Sequence, residues 1–168
     1  MLTGKEFSKV YNVSGGIKAW NSKTAIGPED LGMDLMTGKE EPLDVLKVAY
    51  SLEEGLREFY VTMKEDTKNE KVKHLFDKLS EIELKHQMSI FQAYKDLSAT
   101  DIKIDVFENM VKTKALEGGL TTKEYLDLYN PDLNSVAEVI SLAMSIEAQA
   151  LDLYQRVASK INNPVSRE

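Results

Sequence analysis

The chain has 168 residues, 42% of them hydrophobic and 29% charged, with a net charge of −7. Those values suit one main soluble domain with a sizeable core and argue against nucleic acid or an anionic membrane as partner. No apolar run approaches the ~18 to 20 residues that span a bilayer, and "MLTGKEFSKV" lacks the apolar stretch of a signal peptide, so a cytoplasmic protein is expected. The absence of cysteine excludes disulfides, thiolate metal centres and a cysteine nucleophile, leaving His, Asp and Glu as metal ligands.

Residues 1–41 carry Gly-containing turns ("SGGI", "AIGPEDLGM", "MTGKEEP") and no sustained helical period. Within them "KVYNV" reads as a short β-branched strand and "GGIKAW" as a turn opening a brief helix. From Pro42, well suited to a first helical turn, residues 42–168 read as a helical domain. The first long helix carries the stripe Leu46, Ala49, Glu53, Leu56, Tyr60, Met63, and the second carries Val72, Leu75, Leu79, Glu83, His86, Ile90, Ala93, Leu97. A long connection follows, with short helices at "DVFENMVKTKALEGG" and "TTKEYLDLY" closed by the turn "NPD"; it predicts a crossover and not a hairpin. The third long helix gives Val136, Ile140, Ala143, Glu147, Ala150, Tyr154, Val157, Ile161.

Each of these apolar seams is interrupted by acid, and the second also by an imidazole. Glu53 precedes Tyr60 by seven residues and Glu147 precedes Tyr154 by seven, an internal repeat that places each glutamate and tyrosine on one helix face. Burying an unpaired carboxylate costs several kcal/mol, so Glu53, Glu83, His86 and Glu147 require partners, water or a cation. A metal ion satisfies all four. Glu83 and His86, three residues apart, offer an oxygen and a nitrogen from adjacent turns, and one Glu from each of two other helices extends the set. Oxygen donors with few imidazoles favour iron or manganese, with zinc as a further candidate. The alternative is a hydrated polar layer that fixes helix register in a non-catalytic module acting in assembly. Glu54 reads as a solvated neighbour of Glu53, His74 as a surface histidine, and Tyr60 and Tyr154 as core aromatics; Glu117 is a weaker candidate ligand.

"LEEGLREFY", "FDKLSEIELKH" and "AMSIEAQALDLY" together resemble the metal-binding helices of the rubrerythrin-related branch of the ferritin-like superfamily, over residues 42–163. The resemblance implies an all-α, carboxylate-bridged di-iron helix bundle with Glu53, Glu83, His86 and Glu147 as metal ligands. It also implies peroxide reduction or ferrous iron oxidation, with electrons from an external donor. The family's second Glu-x-x-His helix has no counterpart in "NNPVSRE" after Ile161, so an incomplete four-helix bundle of three long helices is expected. The groove left open predicts a homodimer. Upstream, "EFSKVYNVSGGIKAW", within residues 2–35, is similar to the C-terminal end of a rhodanese domain, and residues 1–41 read as that remnant with its linker. The whole then reads as a piece of a rhodanese and ferritin-like fusion. Without cysteine, no sulfurtransferase activity is expected.

Overall fold

Five helices make up the described part of the chain in a computed structural model, which describes residues 35–36, 38–111 and 121–161. They are α1 (Pro42–Asp66), α2 (Glu70–Ser98), α3 (Ile104–Glu108), α4 (Thr122–Tyr129) and α5 (Val136–Lys160). Among the described residues there is no strand. The expected rhodanese-like strand and turn, the weaker candidate Glu117 and the tail after Ile161 lie outside those residues.

Local chemistry sets the helix ends. Pro42 occupies the first turn of α1, where its lack of an N–H leaves no bond unmade. Asn69 caps α2 by accepting from the Lys71 N–H at 3.0 Å, and Ala99 ends that helix in the left-handed region at φ 51°. Thr121 and Glu124 form a reciprocal capping box at the start of α4, with the Thr121 N–H donating to Glu124 Oε2 at 2.7 Å. Ser135 caps α5 by accepting from the Glu138 N–H.

Three apolar clusters fix the topology. Leu56, Phe59, Tyr60 and Met63 of α1 pack with Val72 and Phe76 of α2, Tyr125 of α4, and Val139, Leu142 and Ile146 of α5. At the opposite end Leu52 meets Leu153, Val157 and Ile161, with Met36 buried among them. Tyr50, Tyr94 and Phe107 form the third cluster, the Tyr50 and Phe107 rings standing edge to face at 4.9 Å. The end of α1 therefore lies against the starts of both α2 and α5. Both helices run antiparallel to α1 and parallel to each other, so the end of α2 and the start of α5 lie at opposite ends of the bundle, as the crossover expectation requires.

Two polar details hold the ends. Asn134 Oδ1, just before α5, accepts from Thr67 Oγ1 at 3.1 Å and from the Lys68 N–H at 3.0 Å, while Asn69 Nδ2 donates to the Asn134 carbonyl at 2.7 Å. The α1–α2 turn is thereby tied to the start of α5. At the other end Gly38 adopts φ +82° beside Lys160, where a Cβ would meet the Lys160 Cβ at 3.0 Å. Glycine alone suits both the left-handed backbone and the close approach.

The buried arcs differ in detail from the sequence stripes. On α1, Glu53, Leu56, Tyr60 and Met63 are all buried as expected. On α2 the covered arc turns toward Phe76, Gln87 and Tyr94, which leaves Ala93 and Leu97 exposed. On α5 it turns toward Val139, Leu142, Ile146, Gln149 and Leu153, which leaves Ile140, Met144, Glu147 and Leu151 facing outward. The apolar arc of α5 is wider than α1, α2 and α4 cover, so among the described residues its far edge stays exposed.

Candidate metal centre

The antiparallel register of α1 and α2 brings Glu53 opposite the turn of α2 that carries Glu83 and His86. Glu83 is 1% exposed and Glu53 7%. Both carboxylates converge on one imidazole nitrogen: His86 Nδ1 lies 2.9 Å from Glu83 Oε2 and 3.2 Å from Glu53 Oε2. The His86 side chain is 44% exposed, so the cluster has buried acids on its inner side and solvent on its outer side. One potential ligand atom from each of the three residues lies within 4.8 Å of the others.

Charge balance decides what this arrangement favours. Two buried carboxylates carry two negative charges, and a protonated imidazole returns at most one. With Nδ1 deprotonated, its lone pair points toward the same place as the two carboxylate oxygens. A divalent cation there would replace the proton and balance both acids. One nitrogen and two hard oxygens suit iron, manganese or zinc, so the donor set fits the metal that the family resemblance implies.

Of the four expected ligands, Glu53, Glu83 and His86 come together, and Glu147 is not a member of that cluster. Glu147 instead lines a groove of about 400 Å³ together with Leu79, Ile140, Ala143 and Met144. Although Glu147 reaches solvent, partial burial raises its pKa; Glu83 adds repulsion in the same direction, and His86 partly offsets both. It therefore sits within the electrostatic reach of the cluster, on the groove wall beside it.

The remaining sequence expectations divide. His74 is exposed, as expected of a surface histidine. Tyr60 is a core aromatic, its ring centroid 5.5 Å from that of Phe59 and 6.2 Å from that of Phe76, and Tyr154 is half-buried against the second cluster. Glu54 is half-buried and not fully solvated: burial raises its pKa, Glu58 and Glu108 raise it further, and Arg57 acts in the opposite sense. Two buried polar residues, Gln87 and Gln149, gave no signal in the sequence, because an amide on a helix reads as an ordinary solvated residue. Tyr50 is also more than a core ring, since its hydroxyl donates to Glu108 Oε1 at 2.9 Å.

A family model described as Rubrerythrin matches residues 44–168. No curated protein and no solved structure matches the chain significantly. Among the described residues no helix is long and apolar enough to cross a membrane.

Proposed function

The chain belongs to the rubrerythrin family, a ferritin-like family, and from that premise we propose that Glu53, Glu83 and His86 hold a redox-active metal ion, iron first, in an oxidoreductase site. The observation that carries this reading is the convergence of one imidazole nitrogen and two buried carboxylates within 4.8 Å. Glu53 and Glu83 supply negative charge from the buried side, and His86 supplies the nitrogen ligand from the open side. When bound, iron supplies one-electron chemistry between its ferrous and ferric states, suited to reduction of peroxide or oxidation of ferrous iron. The protein's part is to place the donors, balance the charge and admit a small oxidant past the exposed edge of His86. With no cysteine in the chain, electrons come from a donor other than a cysteine-held centre of this chain. Residues 42–168 form the ferritin-like unit in this reading, with residues 1–41 as a separate remnant and linker.

A second reading has its own support. The contacts of 2.9 and 3.2 Å let a protonated His86 satisfy both acids without metal, which is the polar layer of a non-catalytic module. Metal analysis of protein purified without chelator separates the two. The wild type is expected to retain iron, manganese or zinc, and the near-isosteric double variant Glu83→Gln/His86→Gln at least tenfold less, with its helical circular dichroism preserved. Equal metal content in the two proteins would overturn the site and leave the polar layer.

A further inference from the structure

The third apolar cluster holds a buried phenol that the metal-binding reading does not use. Tyr50 precedes Glu53 by three residues on α1, an axial step of about 4.5 Å, and is 2% exposed. On α2 the same cluster takes Ile90, Phe91 and Tyr94, from the turns that follow His86. Phe107 of α3 is fully buried among them, its ring centroid 4.9 Å from that of Tyr50, 4.7 Å from that of Tyr94 and 5.2 Å from that of Phe91. The cluster therefore continues the α1/α2 interface from the metal region as a run of touching aromatic rings.

The Tyr50 hydroxyl has a proton acceptor already in place. It donates to Glu108 Oε1 at 2.9 Å, and Glu108, at the end of α3, is exposed to water. Burial, and after it the hydrogen bond to Glu108, push the Tyr50 phenol well above its ordinary value of 10.0; Glu54 acts in the same sense and Arg57 against it. Loss of the proton alone would leave a phenolate beside Glu108 in a desolvated place. Loss of an electron alone would leave a cationic ring among apolar neighbours. Loss of both together leaves a neutral ring, and the proton ends on the carboxylate that faces water. The hydrogen bond supplies the path for that coupled loss.

We propose that Tyr50 and Glu108 form a proton-coupled redox pair, a one-electron oxidation site that holds no metal of its own. A strong one-electron oxidant, of the class that peroxide yields with a redox metal, takes an electron from the Tyr50 ring. The phenolic O–H bond breaks and the proton crosses to Glu108 Oε1, leaving a neutral tyrosyl radical and a protonated carboxyl. An external one-electron reductant such as ascorbate or a thiol returns the electron, and Glu108 returns the proton. The inference goes beyond the metal-binding reading and stands without it. One turn from Glu53, the pair draws off oxidising equivalents that would otherwise damage the neighbouring side chains.

Flash photolysis of the chelator-treated full chain tests this. The chain has no cysteine, so Val106→Cys, at an exposed position of α3, gives a single attachment point for a thiol-reactive ruthenium photo-oxidant beside the pair. Illumination with a sacrificial electron acceptor is expected to produce a tyrosyl radical, followed by absorbance and electron paramagnetic resonance, that forms more slowly in heavy water. In the same labelled background Tyr50→Phe keeps a ring against Phe107 and is expected to lower the radical yield at least fivefold. Glu108→Gln keeps an oxygen that accepts from the Tyr50 hydroxyl but cannot take its proton, and is expected to slow radical formation at least tenfold with the helical spectrum preserved. A hydrogen bond that only pins α3 to α1 would leave the rate in Glu108→Gln unchanged, and that result would overturn the pair. An undiminished yield in Tyr50→Phe would place the radical on another tyrosine, such as Tyr94, and would overturn it too, as would the absence of any tyrosyl radical in the labelled parent. Metal content of the Tyr50→Phe and Glu108→Gln variants is expected to match the wild type, so failure of the redox pair leaves the metal-binding reading standing.

Discussion

Replacing His86 by alanine in chelator-treated protein probes the force that holds the cluster together. The change removes the group shared by Glu53 and Glu83, whose ligand oxygens lie within 4.8 Å of each other. Two unit charges at that separation repel by about 3 kcal/mol at an effective dielectric constant near 20. The open side of the site lets water screen part of this, reducing it to about 1–2 kcal/mol. The lost charge-assisted hydrogen bonds add about 1 kcal/mol, so His86→Ala is expected to destabilise the protein by about 2–3 kcal/mol. With a urea m-value of about 2 kcal/mol per M, the unfolding midpoint should fall by about 1–1.5 M. Adding Glu83→Gln to His86→Ala replaces a carboxylate that is 1% exposed by a neutral amide and should restore at least half of the loss. A midpoint unchanged in His86→Ala, or losses that simply add in the double variant, would refute the electrostatic account of the cluster.

Two further substitutions test other parts of the structure. Gly38→Ala forces a Cβ onto a backbone at φ +82°, 3.0 Å from the Lys160 Cβ and 3.3 Å from its carbonyl oxygen, and should cost about 1–2 kcal/mol; calorimetry should show Tm lower by about 3–6 °C, and an unchanged Tm would contradict the assigned packing. Glu54→Gln should stabilise the protein at neutral pH, because burial, Glu58 and Glu108 raise the Glu54 pKa and its ionised form therefore weakens the native state. The difference in Tm should shrink as pH falls through the raised pKa and vanish below the ordinary value of 4.5; a gain that persists in acid would point to packing instead of charge.

Much of this architecture was legible because it is written in local periods. The stripes of α1, α2 and α5 follow the helical repeat, and the length between Ser98 and Val136 required the crossover that makes α2 and α5 parallel. Glu53, Glu83 and His86 stood out as ionisable residues on otherwise apolar stripes, and the structure brings them together. Glu147 was harder to place, because periodicity identifies an apolar face but not which arc of it a neighbour covers. On α5 that arc is wide, and packing against α1, α2 and α4 takes the Val139, Leu142, Ile146 and Leu153 side. The Tyr50–Glu108 hydrogen bond joins residues 58 positions apart and left no local trace, and neither did the burial of Gln87 and Gln149.

The close approach of Gly38 to Lys160 also determines where the bundle can be cut and joined. The backbone arrives and departs at the same corner, although more than a hundred residues and all five helices lie between those two points. A short linker could close the chain on itself there, and new ends could open at the exposed segment near Thr100 and Asp101 without dividing a long helix. The same adjacency lets the whole bundle hang from a single surface loop of another protein, since the host loop would need to part by no more than the width of two neighbouring backbones.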